Sequence, residues 1–319
     1  FILGALSSGI LLYGFSLVYG FTGQTSFDGI YISLSQLDKL PIGLVFGLVF
    51  ILVGLAFKVS AVPFHMWTPD VYEGAPTPIT AFFAIVPKLA AIALIFRFCL
   101  EPFRSFYFEW TQVIFFLSVA SMFLGATAAI AQKSLKRLLA YSSIGHVGYV
   151  LIALVAASDQ GIRSASIYMF IYLIMNISVF AILLSLKKSD KYVDKINQLT
   201  GLSKTNPIVS ASLAIIMLSM AGIPPFIGFF GKFYVFIAAI ESQQYILAVL
   251  GVLASVISAF YYLRIIKGMY FDEAIDEENF DFTINNQAKV ILLTLMLIII
   301  FFILYPSLLT SIVSGISLV

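Results

Sequence analysis

Charge is what this 319-residue sequence has least of: only 11% of its residues are Asp, Glu, Lys or Arg. A soluble domain carries roughly 25%. With 61% hydrophobic residues and a mean hydropathy of +1.03, the chain is built for a membrane. The net charge is +2, and no basic helix or aromatic-interleaved basic patch occurs, which excludes nucleic acid as a partner. Cysteine occurs once, at Cys99. One thiol cannot form a disulfide framework or the thiolate set of an iron–sulfur or zinc centre. It reads as a small apolar filler in a helix. No Rossmann fingerprint, Walker loop or haem-ligand pair appears, so no cofactor and no hydride, phosphoryl or electron chemistry is expected in this chain. Phe1 opens the sequence without an initiator Met or signal-peptide features. The expectation is that residue 1 is not the natural start, or that the N-terminal part is a separate chain.

What is abundant is apolar length. A spanning helix needs about 20 largely apolar residues. Nine segments qualify: 2–20, 42–62, 78–99, 111–131, 138–157, 164–186, 207–239, 244–267 and 290–313. The predicted fold is an all-α polytopic membrane bundle of nine transmembrane helices, two of them broken, forming one transmembrane domain over 1–319. The seventh segment is too long for one straight span and carries Pro224 and Pro225, which remove backbone donors and break it in mid-membrane. The second meets Pro63 soon after Lys58. Broken helices at membrane depth are tolerated where they are buried in protein or line a hydrated cavity, and they point to a transport site.

Loop charge sets the topology. The odd-numbered connections carry Lys39, Arg97, Arg104 and Arg163. The even-numbered ones carry Lys133, Lys136, Arg137, Lys187, Lys188, Lys191, Lys195, Lys204, Arg264, Lys267 and Lys289. Eleven against four puts the even connections on the cytoplasmic or matrix side. The acidic loop 269–288, with Asp272, Glu273, Asp276, Glu277, Glu278 and Asp281, reads as a solvated loop or a docking surface for another subunit.

Against this background three amines stand out. Lys58, Lys88 and Lys232 lie inside apolar segments that contain no acidic residue. An ammonium in hydrocarbon costs about 2.5–3.5 kcal/mol on the insertion scale, so these lysines are not there for stability. Amines in such surroundings are candidate proton carriers. Lys58 precedes a helix break, where a helix C-terminal end favours a cation; the plainer reading is a lysine that snorkels to the interface. Lys88 is in mid-span, about ten residues or ~15 Å from each end, too far to snorkel easily. Lys232 follows the second break, and Gly228 and Gly231 leave it room to reach a neighbouring half-helix or water.

His146, early in the fifth segment, suits proton relay by its unperturbed pKa; it reads equally as a satisfied structural histidine. Tyr141, Ser142, Ser143 and Tyr149 around it offer hydroxyls for a water chain. His65, Asp70 and Glu73, in the polar run after the first break, are able to pair with one another or conduct protons at the surface. Lys136 and Arg137 are most simply topology anchors, and Lys136 could also feed protons from that edge.

Three stretches, 57–78, 134–149 (SLKRLLAYSSIGHVGY) and 218–234 (LSMAGIPPFIGFFGKFY), together with these residues, resemble signatures of the antiporter-like membrane subunits of respiratory complex I, in the right order and over essentially the whole chain. The nearest branch is the subunit 2, or bacterial subunit N, family of NADH dehydrogenases. The resemblance implies a two-half inverted repeat with a broken helix in each half and a polar axis along the midplane. By it, 1–110 is the end of the first half, 111–270 the second half and 290–313 the terminal helix. Lys58 matches the family's lysine on the first broken helix, Lys88 its connecting lysine, His146 its central histidine and Lys232 its lysine on the second broken helix. The glutamate that pairs with the first of these has no counterpart in the chain, so a separate N-terminal fragment is expected to supply it. A nearby opposite charge favours the ammonium, and a moving partner acid would switch the proton on Lys58.

The function so implied is proton translocation coupled to quinone reduction elsewhere. NADH, FMN, iron–sulfur clusters and ubiquinone would be bound by other subunits of the complex, and lipids and other membrane subunits would be the partners. The heavy use of Phe, Ile, Tyr and Lys fits an AT-rich genome, which points to the mitochondrial inner membrane or, alternatively, a bacterial inner membrane. The rivals are a subunit of a multisubunit cation/proton antiporter or membrane-bound hydrogenase, an independent secondary transporter, and a scaffold subunit that moves no protons.

Overall fold

The computed structural model describes residues 1–188, 191–273, 280–282 and 286–316. The N-terminal part holds α1 (Ile2–Thr22), a short α2 (Phe27–Ser35), α3 (Ile42–Val59), a short α4 (Trp67–Gly74), α5 (Thr77–Leu100), α6 (Tyr107–Ile130) and α7 (Leu135–Val155). There follow α8 (Asp159–Ser185), the one-turn α9 (Leu202–Thr205), α10 (Pro207–Ala221) and α11 (Ile227–Glu241). The chain then forms α12 (Tyr245–Tyr270), α13 (Asn286–Phe301) and α14 (Ser307–Val313). Among the described residues, seven helices are long and apolar enough to cross a membrane.

Each of the nine predicted segments coincides with helix, and the seventh divides into α10 and α11 as its prolines require. The ninth, expected as one span, is also divided: a 3₁₀ turn at Phe302–Leu304 and Pro306 separate α13 from α14. Two further elements carry no helical-span signal. Ser26 starts α2 by accepting a hydrogen bond from the Gly29 N–H at 3.1 Å, a side-chain cap of the usual kind. Strands β1 (Leu186–Lys188), β2 (Lys191–Tyr192) and β3 (Phe280–Phe282) make a small antiparallel sheet in the order β2-β1-β3. The acidic loop thus supplies a strand; Asp276, Glu277 and Glu278 lie outside the described residues.

The two breaks close in one way. Ser60, at φ 65°, donates its N–H to Phe57 O while the Ala61 N–H reaches Ala56 O. Gly222, at φ 84°, donates to Ser219 O while the Ile223 N–H reaches Leu218 O. Both are Schellman caps, which satisfy two orphan carbonyls and turn the chain off the helix axis. A proline stands three residues beyond each left-handed residue, Pro63 and Pro225.

Connections alternate between two ends, as the charge count requires. At one end the α7 N-terminus meets the α8–α9 connection, with the Leu135 N–H donating to Asp194 O and the Ile196 N–H to Lys133 O. Arg264, near the end of α12, donates to Ile130 O and Gln132 O there. At the other end Tyr107 donates to Val155 O, Gln244 donates to Tyr107, and Arg163 donates to Ile316 O.

Between these ends the apolar core is cut into two slabs. One holds Ile92, Val147, Val235 and Ala254; the other holds Ile85, Ala140, Ile227 and Tyr261. Four helices carry buried polar residues at the boundary: Lys88 between Ile85 and Ile92, Ser142, Ser143 and His146 between Ala140 and Val147, Lys232 between Ile227 and Val235, and Ser258 between Ala254 and Tyr261. A polar layer therefore runs across the bundle between two greasy halves.

Candidate functional site

The middle of that layer is α7, which is buried along nearly its whole length. Close approach of α6 makes this possible. A Cβ on Gly148 would stand 2.8 Å from Ser118 O, and one on Gly125 2.7 Å from the Gly145 nitrogen, so only glycine fits at these contacts. Ser142, His146 and Tyr149 are spaced by four and three residues and share one face of the helix. Ser143, one position round, faces α5.

Lys88 is 1% exposed and donates to Ser143 Oγ at 2.5 Å, with its amine 5.6 Å from the Tyr72 ring centroid. His146 is hydrogen-bonded at both ring nitrogens: Nδ1 is 2.7 Å from the Tyr168 hydroxyl and Nε2 is 3.2 Å from that of Tyr262. A neutral imidazole has one N–H and one lone pair, so one tyrosine donates to it and the other accepts from it. Tyr262 in turn shares a 2.5 Å bond with Ser142. Lys232 donates to Ala221 O and to Ser255 Oγ, both at 2.8 Å, and its amine lies 4.9 Å from the Tyr149 ring centroid. The expected reach of Lys232 to a neighbouring half-helix is realised: Ala221 is the last residue of α10, and its carbonyl belongs to the negative end of that helix dipole.

His146 lines two small cavities. The one shared with Lys88, Tyr168 and Tyr172 is too tight for a water. The one shared with Lys232, Ser142 and Tyr262 has about 10 Å³, close to room for one. The row is made of amines, an imidazole and hydroxyls joined by short hydrogen bonds, groups whose shared chemistry is the giving and taking of protons.

Lys58 departs from the expectation of a buried amine. It is exposed, 3.3 Å from Ser8 Oγ, and lines an apolar groove of about 860 Å³ with Phe1, Leu3, Trp67, Phe83 and Leu94. It projects from the last turn of α3 into this groove, which is flanked by α1, α4 and α5. Among the described residues none of Lys58, Lys88 and Lys232 has an acidic partner.

The surface group also differs from its expectation. Asp70 and Glu73 pair with Arg137, at 2.7 and 2.9 Å, and not with His65, whose Nδ1 is buried without a partner. Arg137 therefore clasps α4 to α7 and is more than a topology anchor. Lys136 donates to Ala75 O at 3.1 Å and stands 3.8 Å from Asp194. Tyr141 packs against the apolar core, and the Tyr149 hydroxyl, though buried, completes no hydrogen bond. Its ring, under the Lys232 amine, is the part that serves the site.

Tyr72, Tyr168, Tyr172, Tyr262 and Ser255 were not singled out from the sequence. One signal existed: Tyr168, Tyr172 and Asn176 recur at intervals of four in the middle of an apolar helix, one polar stripe on a buried span.

A membrane bundle with two capped breaks and a polar layer bearing buried amines is an antiporter-type architecture. The chain matches the family described as NADH:quinone oxidoreductase/Mrp antiporter, TM, over residues 1–258, and belongs to that family. It is 54% identical over 307 residues to NADH-quinone oxidoreductase subunit N of Rhodospirillum rubrum, covering 96% of this chain and 63% of the relative. To the subunit N of Pelagibacter ubique it is 54% identical over 319 residues, 100% of this chain and 67% of the relative. The chain thus spans about two thirds or less of these relatives. A chain of respiratory complex I from Thermus thermophilus superposes with a TM-score of 0.82 at 32% identity, over 98% of this chain and 67% of that one.

Proposed function

We propose that the chain is a proton-translocating membrane subunit of a bacterial NADH:quinone oxidoreductase, in a bacterial inner membrane. The observation that carries this is the polar layer, in which Lys88 and Lys232 flank a histidine bonded at both ring nitrogens. The names of the relatives support the assembly, and all of those named are bacterial, which favours the bacterial over the mitochondrial membrane. Protons are taken up on the side of the even-numbered connections, pass Lys58, Lys88 and His146, and leave by way of Lys232. His146 hands a proton across by exchanging tautomers between Tyr168 and Tyr262.

Flavin, iron–sulfur and quinone chemistry belongs to other subunits. A carboxylate from polypeptide outside residues 1–319 faces Lys58: the ammonium is exposed in an apolar groove with no acidic partner among the described residues. Its approach and withdrawal change the proton affinity of Lys58 and start each transfer. Residues 1–110 correspond to the end of the first half of an inverted repeat and 111–270 to the second half, each with one break.

Replacing Lys58 with Ala or Lys232 with Met in the assembled complex tests this. Proton pumping and quinone reduction should fall together, while NADH oxidation by an artificial acceptor persists. Wild-type pumping in both variants refutes the role.

A further inference from the structure

Pro87 stands one residue before Lys88, inside α5. In a regular helix the Phe83 carbonyl would accept from the N–H of residue 87, and proline has none. A free carbonyl at membrane depth is costly and needs another donor. It also lies in the turn over which the Lys88 side chain leans, because helical side chains point back towards the N-terminus. An ammonium and an unoccupied carbonyl so placed would form a charge-assisted bond. Lys88 does not take it; its amine is turned across to Ser143 of α7.

Two hydroxyls hold the acceptors instead. Tyr72 of α4, fully buried, donates to Phe83 O at 3.1 Å, and Tyr172 of α8 donates to Ala84 O at 2.9 Å. The Tyr72 ring also lies under the Lys88 amine, 5.6 Å from it. Ser143 passes its own proton to Ala140 O, so its oxygen remains an acceptor for Lys88.

We infer that Tyr72 is a positioning residue for Lys88: by filling the carbonyl that Pro87 leaves open, it keeps the amine turned towards Ser143 and His146. Tyr72 sits on the second piece of the first broken helix. That piece is pinned to α5 by Thr80, which donates to Tyr72 O at 2.9 Å, and to α7 by Arg137. Any displacement of α4 uncovers the carbonyl, and the amine is then captured by its own helix. The state of the first break is thereby passed to Lys88 through one hydroxyl. This inference rests on the conducting role proposed for Lys88.

The test is Tyr72→Phe in the assembled complex, which keeps the ring and removes the donor. Pumping with quinone reduction should fall by up to about a hundredfold, the cost a ~1 Å misplacement of a reacting group can carry. Cryo-EM density should show the Lys88 amine moved from Ser143 to Phe83 O. Pro87→Ala restores an N–H for that carbonyl, so Tyr72→Phe/Pro87→Ala should recover most of the loss. A purely packing or proton-carrying Tyr72 predicts no such rescue. Unchanged turnover with Lys88 still on Ser143, or a double variant no better than Tyr72→Phe alone, overturns the inference. Should Pro87→Ala by itself impair turnover, the Lys88 density in Tyr72→Phe decides. Lys88→Met, assayed beside these, separates the two claims. Full turnover there removes the conducting role itself, whereas its loss together with an unaffected Tyr72→Phe removes only the positioning role.

Discussion

The two helix breaks share a Schellman cap and a proline at the same offset, yet one lysine is exposed and the other sealed in. Helix direction explains the contrast. Lys58 belongs to the helix before the break, and its side chain leans away from the exposed carbonyl end. The Phe57 carbonyl there, which already accepts from the Ser60 N–H, takes its second bond from the neutral indole N–H of Trp67 at 3.0 Å. Lys232 belongs to the helix after its break, so the same lean carries its amine back onto Ala221 O. One break thus holds its cation within the chain, while the other presents it to a groove. Equal local design produces unequal electrostatics, because the cation stands on opposite sides of the cap.

Variants of the two lysines press hardest on this comparison. Lys232→Met should abolish most pumping and also destabilise the chain by about 1–3 kcal/mol, because Ala221 O is left buried without its donor. Lys58→Ala should lose pumping to a similar degree but change stability by no more than ~0.5 kcal/mol, since the side chain is exposed. Thermal unfolding of both in one detergent checks the difference; equal losses of stability would erase it.

A smaller effect is expected at the caps themselves. Gly222→Ala forces a left-handed residue to carry a Cβ, which would also stand 2.9 Å from Lys232 Cδ, and should cost about 1 kcal/mol or more. Ser60→Gly relaxes the backbone at φ 65° but loses the 2.5 Å bond from Thr68, so its net effect should stay within ~1 kcal/mol of zero. A Gly222→Ala midpoint equal to that of Ser60→Gly would count against the tighter second break.

His65 should give the smallest signal. Burial disfavours its imidazolium and holds its pKa below the ordinary 6.5. The unfolded chain then binds the extra proton first, so this contribution to stability is complete above pH 6.5 and declines as pH falls below it. His65→Gln should flatten that slope in a stability–pH series. A slope unchanged from the wild type would assign it to other groups.

Much of this was legible from the sequence, for identifiable reasons. Apolar length placed a helix in every predicted segment and proline located the breaks after Lys58 and before Lys232, because hydrocarbon and a missing N–H act through local sequence, whereas the division of the ninth segment at Pro306 was not expected. Lys88, His146 and Lys232 stood out as polar groups in apolar runs, and the structure puts all three in one layer. The loop charges sorted the connections onto the two ends that the fold presents. Tertiary packing hid the rest. The exposure of Lys58 depends on what lies against α3. Tyr72, Tyr168, Tyr172 and Tyr262 read as ordinary aromatic filler until neighbouring helices bring their hydroxyls to Pro87 and His146. Arg137 looked like an anchor because its partners, Asp70 and Glu73, are more than sixty residues away in sequence. Strands of two or three residues, such as β1 to β3, carry no periodicity to detect.

The central claim is that amines on either side of His146 exchange protons through it. The most direct measurement is proton pumping and quinone reduction, recorded together, in the assembled complex carrying His146→Leu. Both should fall by about a hundredfold, as when a group the reaction passes through is lost, while NADH oxidation by an artificial acceptor is retained. Pumping and quinone reduction at wild-type rates would contradict the account.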